Sequence, residues 1–394
     1  MANDVWNIKS NLEVQYLPPA SSWTSIQAET YEVEIDRGIM LEKGVLARPD
    51  IGTARIELIK PSLSDFVGSP GYNINFPIRI RYQPNPDTNP TTWRIIFYGT
   101  ISNIFMGYDV TAKKLKITIQ ADDFMKILSN TRLSSFSITG TTTQRSFRNV
   151  MASLDSSINA IDSRFNLVQD GTGGSAAVFS ANTFTDVIAG EVLNQLIDAE
   201  LGWVYSERTS ANTMYMTRAD INTKQATAWS GSALTVSNQH SNSVDHICMN
   251  YIDLSYDTST LVNSVKVIET SSTPASDKTS KNTTSITNYG EWPADFEITM
   301  DPGASPYTRI SDWASAVSGS ADPKQIRMVS VPALRRDGTT TKIAAYDIGQ
   351  VLQVEFVDPA NTSNKIQQVQ LITRIRHSIT AEHWEIDFHL WKGI

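Results

Sequence analysis

Apolar and polar side chains alternate with a period of two along His383 to Trp391. Trp384, Ile386, Phe388 and Leu390 fall on one side, and Glu385, Asp387, His389 and Trp391 on the other. Successive side chains of a strand point to opposite faces, so the stretch reads as a strand with one buried face. The pattern recurs at both ends of the chain. Tyr31, Val33 and Ile35 alternate with Glu32, Glu34 and Asp36, and Ala54, Ile56 and Leu58 with Arg55 and Glu57. Ile78, Ile80 and Tyr82 alternate with Arg79 and Arg81. Val262 to Glu269, Val351 to Val357 and Val369 to Ile375 read as further strands. One-faced strands joined by turns rich in Gly, Pro, Asn and Asp must pair their apolar faces in a sandwich or a barrel.

The stretch from Trp93 to Leu128 reads as strand, reversal, strand and short helix. Trp93, Ile95 and Phe97 alternate with Arg94, Ile96 and Tyr98, and Gly99 and Gly107 interrupt the run. Asp109 to Lys114 is polar enough for a turn. Leu115, Ile117, Ile119 and Ala121 then share a face, and Asp122 is placed to cap a helix carrying Phe124, Ile127 and Leu128 inward.

From residue 131 to about 250 the period changes. Gln144 to Ile158 is helical in pattern, with Phe147, Val150, Met151 and Leu154 on one stripe. Val168 to Asn182 reads as a loop. A second helix is expected from Thr185 to Leu201, with Thr183 and Asp186 as its capping box and Gly202 as its end. Trp203 to Glu207 and Thr213 to Thr217 pair as a hairpin across Arg208 to Asn212. Farther on, Pro274 to Ile286 reads as a mobile Ser, Thr and Lys-rich loop. Tyr307 to Val317 reads as a helix with Ile310, Trp313, Ala314 and Val317 inward, stopped before Pro323. The fold class expected is mainly β with an α+β insertion, divided at 1–130, 131–250 and 251–394. No short-period repeat is present, and the first and last regions are candidates for two copies of one β architecture.

Composition excludes several functions. The 394 residues are 40% hydrophobic and 19% charged, with nine Trp, which is no composition for a disordered chain. A net charge of -8 argues against a surface built to grip nucleic acid. The single cysteine, Cys248, allows no intramolecular disulfide and reads as a small buried residue. The first residues lack the basic start and apolar core of a signal peptide, so synthesis in a cytoplasm is expected. No run approaches the ~20 apolar residues of a membrane span.

No stretch carries a catalytic signature, and no enzyme activity or cofactor is expected. His240, His246, His377, His383 and His389 form no tight metal pattern. His383 and His389 share a strand face but lie ~20 Å apart by strand rise. Gly171, Gly173 and Gly174 imitate a phosphate loop, yet no apolar strand feeds them and no helix opens directly after. Asp122 and Asp123 sit side by side at a helix start and point apart, unlike a glycosidase pair. Arg335 and Arg336 read as a solvated hairpin tip. Trp229, Trp292 and Trp391 stand in polar contexts and are the candidate interface residues, with barrel ends and sugar-stacking platforms as the competing readings.

Four stretches together resemble the baseplate-hub and minor tail proteins of long-tailed bacteriophages, the gp27-like tail-hub family. They are VEIDRGIMLEKGVLARPDIGTARIELIKPS (33–62), then PIRIRYQ, FYGTISNI and LKITIQADDFMKIL taken in order. VLNQLIDAELGWVYSERTSANTMYMTRAD (192–220) follows, and YDIGQVLQVEF (346–356) with QLITRIRHSITAEHWEIDFHL (370–390) closes the chain. Each motif alone is weak, and their joint order and spacing carry the resemblance over most of the chain. It departs at Arg208 to Asn212, where many relatives have an Asp-Gly turn.

The resemblance implies a structural virion protein, a homotrimer whose chains each carry two tube-type β-barrel domains. Six barrels then form a pseudo-sixfold ring. That ring joins the hexameric tail tube or distal tail protein to the threefold tip or central spike, with the tape measure protein as a further neighbour. DNA passes through without specific binding. A hexameric distal tail protein with one barrel per chain, and a carbohydrate-binding β-sandwich using Trp229 or Trp292, are the alternative readings.

Overall fold

The alternating stretches fold as strands, and the strands of the two chain ends join one sheet. A computed structural model describes residues 11–26, 30–42, 46–60, 73–83, 92–111, 114–141, 143–173, 178–230, 233–239, 245–256, 261–270, 276–298, 324–334 and 342–392. The helix expected at Tyr307 to Val317, and His240, Gly174, Arg335 and Arg336, lie outside them. The first region supplies β1 (Leu12–Tyr16), β2 (Thr24–Ser25), β3 (Thr30–Glu42), β4 (Leu46–Pro49), β5 (Thr53–Lys60), β6 (Pro77–Tyr82), β7 (Arg94–Asp109) and β8 (Lys114–Asp122). The middle region supplies α1 (Met125–Asn130), β9 (Arg132–Ile138), α2 (Phe147–Asn159), β10 (Asn166–Gln169), β11 (Asn182–Ile188), α3 (Ala189–Glu200), β12 (Trp203–Ser206), β13 (Asn212–Met216) and α4 (Arg218–Gln225). Then come β14 (Thr235–Ser237), β15 (His246–Cys248), β16 (Tyr251–Tyr256), β17 (Ser264–Glu269), β18 (Ser276–Lys281), α5 (Thr283–Tyr289), β19 (Pro293–Ile298), β20 (Lys324–Pro332), β21 (Val351–Val357), β22 (Lys365–Ile379) and β23 (Trp384–Trp391).

Hydrogen bonding orders the first-region strands β1-β6-β7-β8-β5-β3. The last-region strands, joined by β14 from before residue 250, run β14-β21-β22-β23-β20-β16. With the short β2, β4 and β15 set aside, and also β17 to β19, which form a sheet of their own, both orders are the same in chain sequence: first, fourth, fifth, sixth, third, second. The repetition reaches single hydrogen bonds. Asn75 N–H donates to the Ile101 carbonyl at 2.8 Å, and Ile101 N–H to Phe76 at 2.9 Å. In the second copy Gly349 N–H donates to Ile372 at 2.8 Å, and Ile372 N–H to Gln350 at 2.9 Å. Asn75 and Gly349 both take positive φ, 66° and 75°, a conformation that Asn and Gly tolerate best. One residue beyond each paired Ile the ladder shifts register, between Ile101 and Asn103 and between Ile372 and Arg374. The copies differ at one edge, where β1 pairs β6 antiparallel and β14 pairs β21 parallel.

Two cores hold the described residues. One runs under the large sheet and takes in residues from Leu12 to Ala121 together with Leu234 to Trp391, with Trp203, Tyr205, Met216 and Ile221. The other gathers α1 to α3 and β9 to β13 with Val265, Val267, Phe296 and Ile298 of β17 and β19. Helix α2 shows how the sequence builds it. Phe147, Val150, Met151, Leu154 and Ile158 recur at helical spacing and are all buried, each worth about 1.5–3 kcal/mol of apolar transfer.

Several expectations are corrected. The helix expected from Thr185 starts at Ala189, because the β-branched and aromatic run Thr183 to Ile188 pairs with β9 instead. Thr183 and Asp186 therefore cap nothing. The capping box is Thr217 with Asp220, at the start of α4, which the sequence reading missed. Leu201, not Gly202, takes the left-handed turn that ends α3. Gly202 instead lets β12 and β13 approach, since a Cβ there would stand 2.6 Å from the Met216 carbonyl. The stretch read as a mobile loop holds β18 and α5 over its described part. Gly99 and Gly107 lie within β7 rather than breaking it. Tyr31 is exposed, because a register shift between Thr30 and Glu32 turns it away from Val33 and Ile35. Cys248 is only half-buried, its thiol 3.3 Å from the Gln239 carbonyl.

Candidate assembly interface

The three tryptophans sit on different elements. Trp292 precedes β19 and is 39% exposed. Its indole N–H donates to the Tyr289 carbonyl at 2.9 Å, and its backbone N–H to the fully buried Asn263 at 2.7 Å, so the ring is held on a fixed surface. Trp229 is half-buried in the segment between α4 and β14. Trp391 is buried inside the chain, its ring 5.1 Å from that of Trp203, so the exposure expected for it is corrected. The alternation had put Trp391 outward, but the middle region packs over that face.

The seam between the two sheet copies is a strand pair, β3 with β22. Val33 to Gly38 run antiparallel to Arg374 to Ile379, with Arg376 opposite Asp36 and Ile379 opposite Val33. The charges on one face are matched across it. Arg374 grips both oxygens of Asp36, at 2.6 and 2.9 Å, and reaches Asp50 at 3.2 Å. Arg376 Nε adds a third bond to Asp36 at 2.8 Å. Burial raises the Asp36 carboxyl, but the hydrogen bonds and charges of Arg374 and Arg376 outweigh it and hold the group below its ordinary value. Gly38 is required for closure, since a Cβ there would stand 2.6 Å from the Arg374 backbone. Gly38→Ala is expected to cost about 1–3 kcal/mol through forced separation of β3 from β22. A urea titration showing an unchanged midpoint would contradict the close approach.

Beneath the seam a polar clasp ties all three regions together. Arg37, on β3, is 2% exposed. It donates to the Ser206 carbonyl of the middle region at 3.1 Å and pairs with Asp347 of the last region. Arg208, in the β12–β13 turn, shares Asp347 at 3.5 Å and donates to the Ala345 carbonyl at 2.6 Å. The departure from an Asp-Gly turn at Arg208 to Asn212 thus places a cation where it braces the second sheet copy. Tyr205, next on β12, donates to Asp170, which also takes Lys224 at 2.7 Å. Burial, then the Asp170 charge and hydrogen bond, push the Tyr205 hydroxyl well above its ordinary value.

No protein-family model and no curated protein sequence matches the chain. Solved structures do. The tail protein from Neisseria meningitidis MC58 matches over 97% of this chain and 98% of its own length, with a TM-score of 0.59 at 10% identity. The 43 kDa tail protein of prophage MuSo2 from Shewanella oneidensis matches over 96% and 98%, with a TM-score of 0.60 at 10% identity. This chain has a phage tail-protein fold. The E. coli c3393 protein, described as a component of the type VI secretion system with structural similarity to the T4 bacteriophage tail proteins gp27 and gp5, also matches. It does so over 96% of this chain and 76% of that one, with a TM-score of 0.50 at 8% identity.

Within the tail-protein fold, the motifs that imitate chemistry have structural occupations. The Gly-rich loop closes on a carboxylate of the chain itself: Gly173 N–H donates to Asp220, whose other oxygen takes Gln169 at 2.9 Å and Thr217 at 2.8 and 3.0 Å. Asp122 pairs with Lys126, while Asp123 is buried and accepts from Met125 N–H at 3.0 Å, so the two do diverge. Asp123 rather than Asp122 serves the start of α1. His246 lies 2.9 Å from the Gln239 carbonyl, and His383 is 3.4 Å from Glu385. No cluster of metal-ligating side chains occurs among the described residues. Among them also, no helix is long and apolar enough to cross a membrane.

Sequence reasoning missed Arg37 and Asp347, and it named Asp123 without foreseeing its burial. One signal for Arg37 was present. It continues the inward parity of Val33 and Ile35, and a cation at an inward strand position calls for a buried partner.

Proposed function

We propose that this chain is the hub of a phage tail, a structural virion protein that closes as a homotrimer. Each chain supplies two copies of one sheet architecture, read here as the two tube-type barrels of residues 1–130 and 251–394, the second extended by β14, with the rest of 131–250 inserted. Three chains then present six similar units. Such a ring matches a hexameric tail tube or distal tail protein on one side and a threefold spike or tip on the other. The observation that carries the reading is the strand order repeated within one polypeptide. A hexameric distal tail protein needs only one such unit per chain, so the duplication counts against that alternative. The net charge of -8 suits a channel that DNA crosses without sticking. Trp292 and Trp229 are the proposed anchors for the tail neighbours that dock on the ring.

Native mass and low-resolution imaging of the purified protein test this. A trimer with a six-lobed ring and an open channel is the expected result. A stable hexamer would replace the hub reading with the distal-tail one.

A further inference from the structure

The duplication has one unequal consequence. Within the chain, the second copy's β22 lends its far half to the first copy: beyond the end of its pairing with β21, Arg374 to Ile379 pair with β3. The strand equivalent to β22 is β7. Its near half pairs with β6 up to Thr100, and the equivalent far half, Asn103 to Tyr108, pairs with β8 on one edge only. The strand equivalent to β3 is β16, which pairs with β20. Among the described residues no strand lies on the outer edge of either segment. Each chain therefore makes the seam once and keeps one spare half of each kind.

We propose that the spare halves pair between copies, β7 of one chain with β16 of the next, repeating the β3–β22 seam head to tail around the ring. The occupant of each edge is thus a second copy of this chain, and the proposal rests on the ring reading above. Register follows from equivalence. Counting from the matched bulges, His377 corresponds to Met106 and Ile379 to Tyr108. Val33 pairs with Ile56 on β5, whose counterpart on β20 is Val329, and Val329 pairs with Ile252. The bulge residue, Arg327, lies on β20, so β16 runs on unbroken and Ile35 corresponds to Leu254. The His377–Ile35 pair inside the chain thus becomes Met106 opposite Leu254 between chains, and the Ile379–Val33 pair becomes Tyr108 opposite Ile252.

The side chains agree with this exchange. Met106 is 42% and Leu254 41% exposed in the single chain, and Phe105, Tyr108 and Tyr251 are exposed beside them. Isolated sheet edges are ordinarily guarded by charges or proline, because an open apolar edge templates aggregation. Asn103 to Tyr108 reads NIFMGY, with no charge and no proline. Such an edge is consistent with a strand that is covered in the assembled state. Heterologous pairing of this kind closes into a ring when the rotation between copies divides a full turn.

Cysteine pairs test the register in the full chain, with Cys248→Ser as background. Cross-strand Cα separations of about 4.5–5.5 Å lie within disulfide reach. Met106→Cys with Leu254→Cys, and separately Tyr108→Cys with Ile252→Cys, are expected to give an oxidation-dependent ladder ending at a closed trimer through at least one pair. Single-cysteine variants should give no such ladder. A trimer by native mass with no cross-link through either pair overturns the edge assignment and leaves the ring reading standing. A ladder closing at another number supports the edges and overturns the trimer. A monomer that cross-links through neither pair overturns both. Met106→Lys with Leu254→Lys, at positions exposed in the folded chain, keeps the test independent of cysteine: monomeric protein with an unchanged melting temperature is expected, and persistence of the oligomer contradicts the proposal.

Discussion

Asp347→Ala is expected to destabilise the fold by about 3–5 kcal/mol, the cost of leaving a buried ion without its partner. Asp347 faces two guanidinium groups, those of Arg37 and Arg208. Arg37 has almost no access to water, and the described structure leaves its Nε without a hydrogen-bond partner. Removing the carboxylate places two like charges together in a poorly solvated site. The reverse substitution differs in kind. Arg37→Met removes the buried charge itself and leaves Asp347 partly open to solvent and still beside Arg208, so a loss well below that of Asp347→Ala is expected. Urea unfolding of the two variants checks the order. Equal losses would mean that the clasp acts through packing alone and that its charges are solvated.

The clasp also marks where sequence reading stopped. Alternation located the strands that carry one apolar face, and β21 was placed at Val351 to Val357 as observed. Alternation does not report partners, so the joining of both chain ends in one sheet was not legible. The duplication left a trace too faint to read alone. NINFPI at residues 73–78 and DIGQVL at 347–352 share only one identical residue, the Ile at 74 and 348. What the two segments do share is physical. An Asn or Asp side chain accepts the next backbone N–H, from Ile74 at 2.8 Å and from Ile348 at 2.9 Å. An Asn or Gly then takes positive φ. A turn is conserved by its conformational requirement, which several residues meet, and not by its letters.

The helices missed or misplaced have a similar cause. Thr183 to Ile188 leads into the stripe of α3 with a helical-looking cap, and only the pairing offered by β9 decides for a strand. Tertiary partners overrule a capping signal of about 1 kcal/mol. Trp391 was misjudged as exposed for a related reason. Its parity on β23 is outward, but Trp203 of the middle region covers that face. The candidate interface was therefore half legible. Trp292 stands on the surface as its polar context implies, whereas the open edges of β7 and β16 become visible only once the strand order is known.

Asp123 and His377 should drive stability in opposite directions as pH changes. Both are fully buried, and both stand near Arg37. Burial pushes the Asp123 carboxyl from 3.8 up to about 7, against the pull of Arg37 and the Met125 N–H and with a small push from Asp122. Burial, helped by the charges of Arg37 and Arg208, drops the His377 imidazole from 6.5 to about 3. Its Nδ1 accepts the Trp384 indole N–H at 3.2 Å, a bond that protonation of that nitrogen would abolish. Below 3.8 Asp123 is protonated whether the chain is folded or not. As pH rises to about 7 the unfolded carboxyl ionises first, so the stability present at low pH is progressively lost. His377 works the other way. Above 6.5 it is neutral in both states. As pH falls to about 3 the unfolded ring gains a proton that the folded ring refuses, and stability is again lost. Each slope is about 1.4 kcal/mol per pH unit, up to about 4–5 kcal/mol in all, and between 3.8 and 6.5 the two cancel. Asp123→Asn keeps an acceptor for Met125 and removes the first slope, so its stability relative to the parent should climb from pH 4 to 7. His377→Gln keeps an acceptor for Trp384, and its stability relative to the parent should fall over the same range. Urea midpoints at four pH values give both curves. If either difference stays flat with pH, that group keeps an ordinary pKa in the fold and is reached by water.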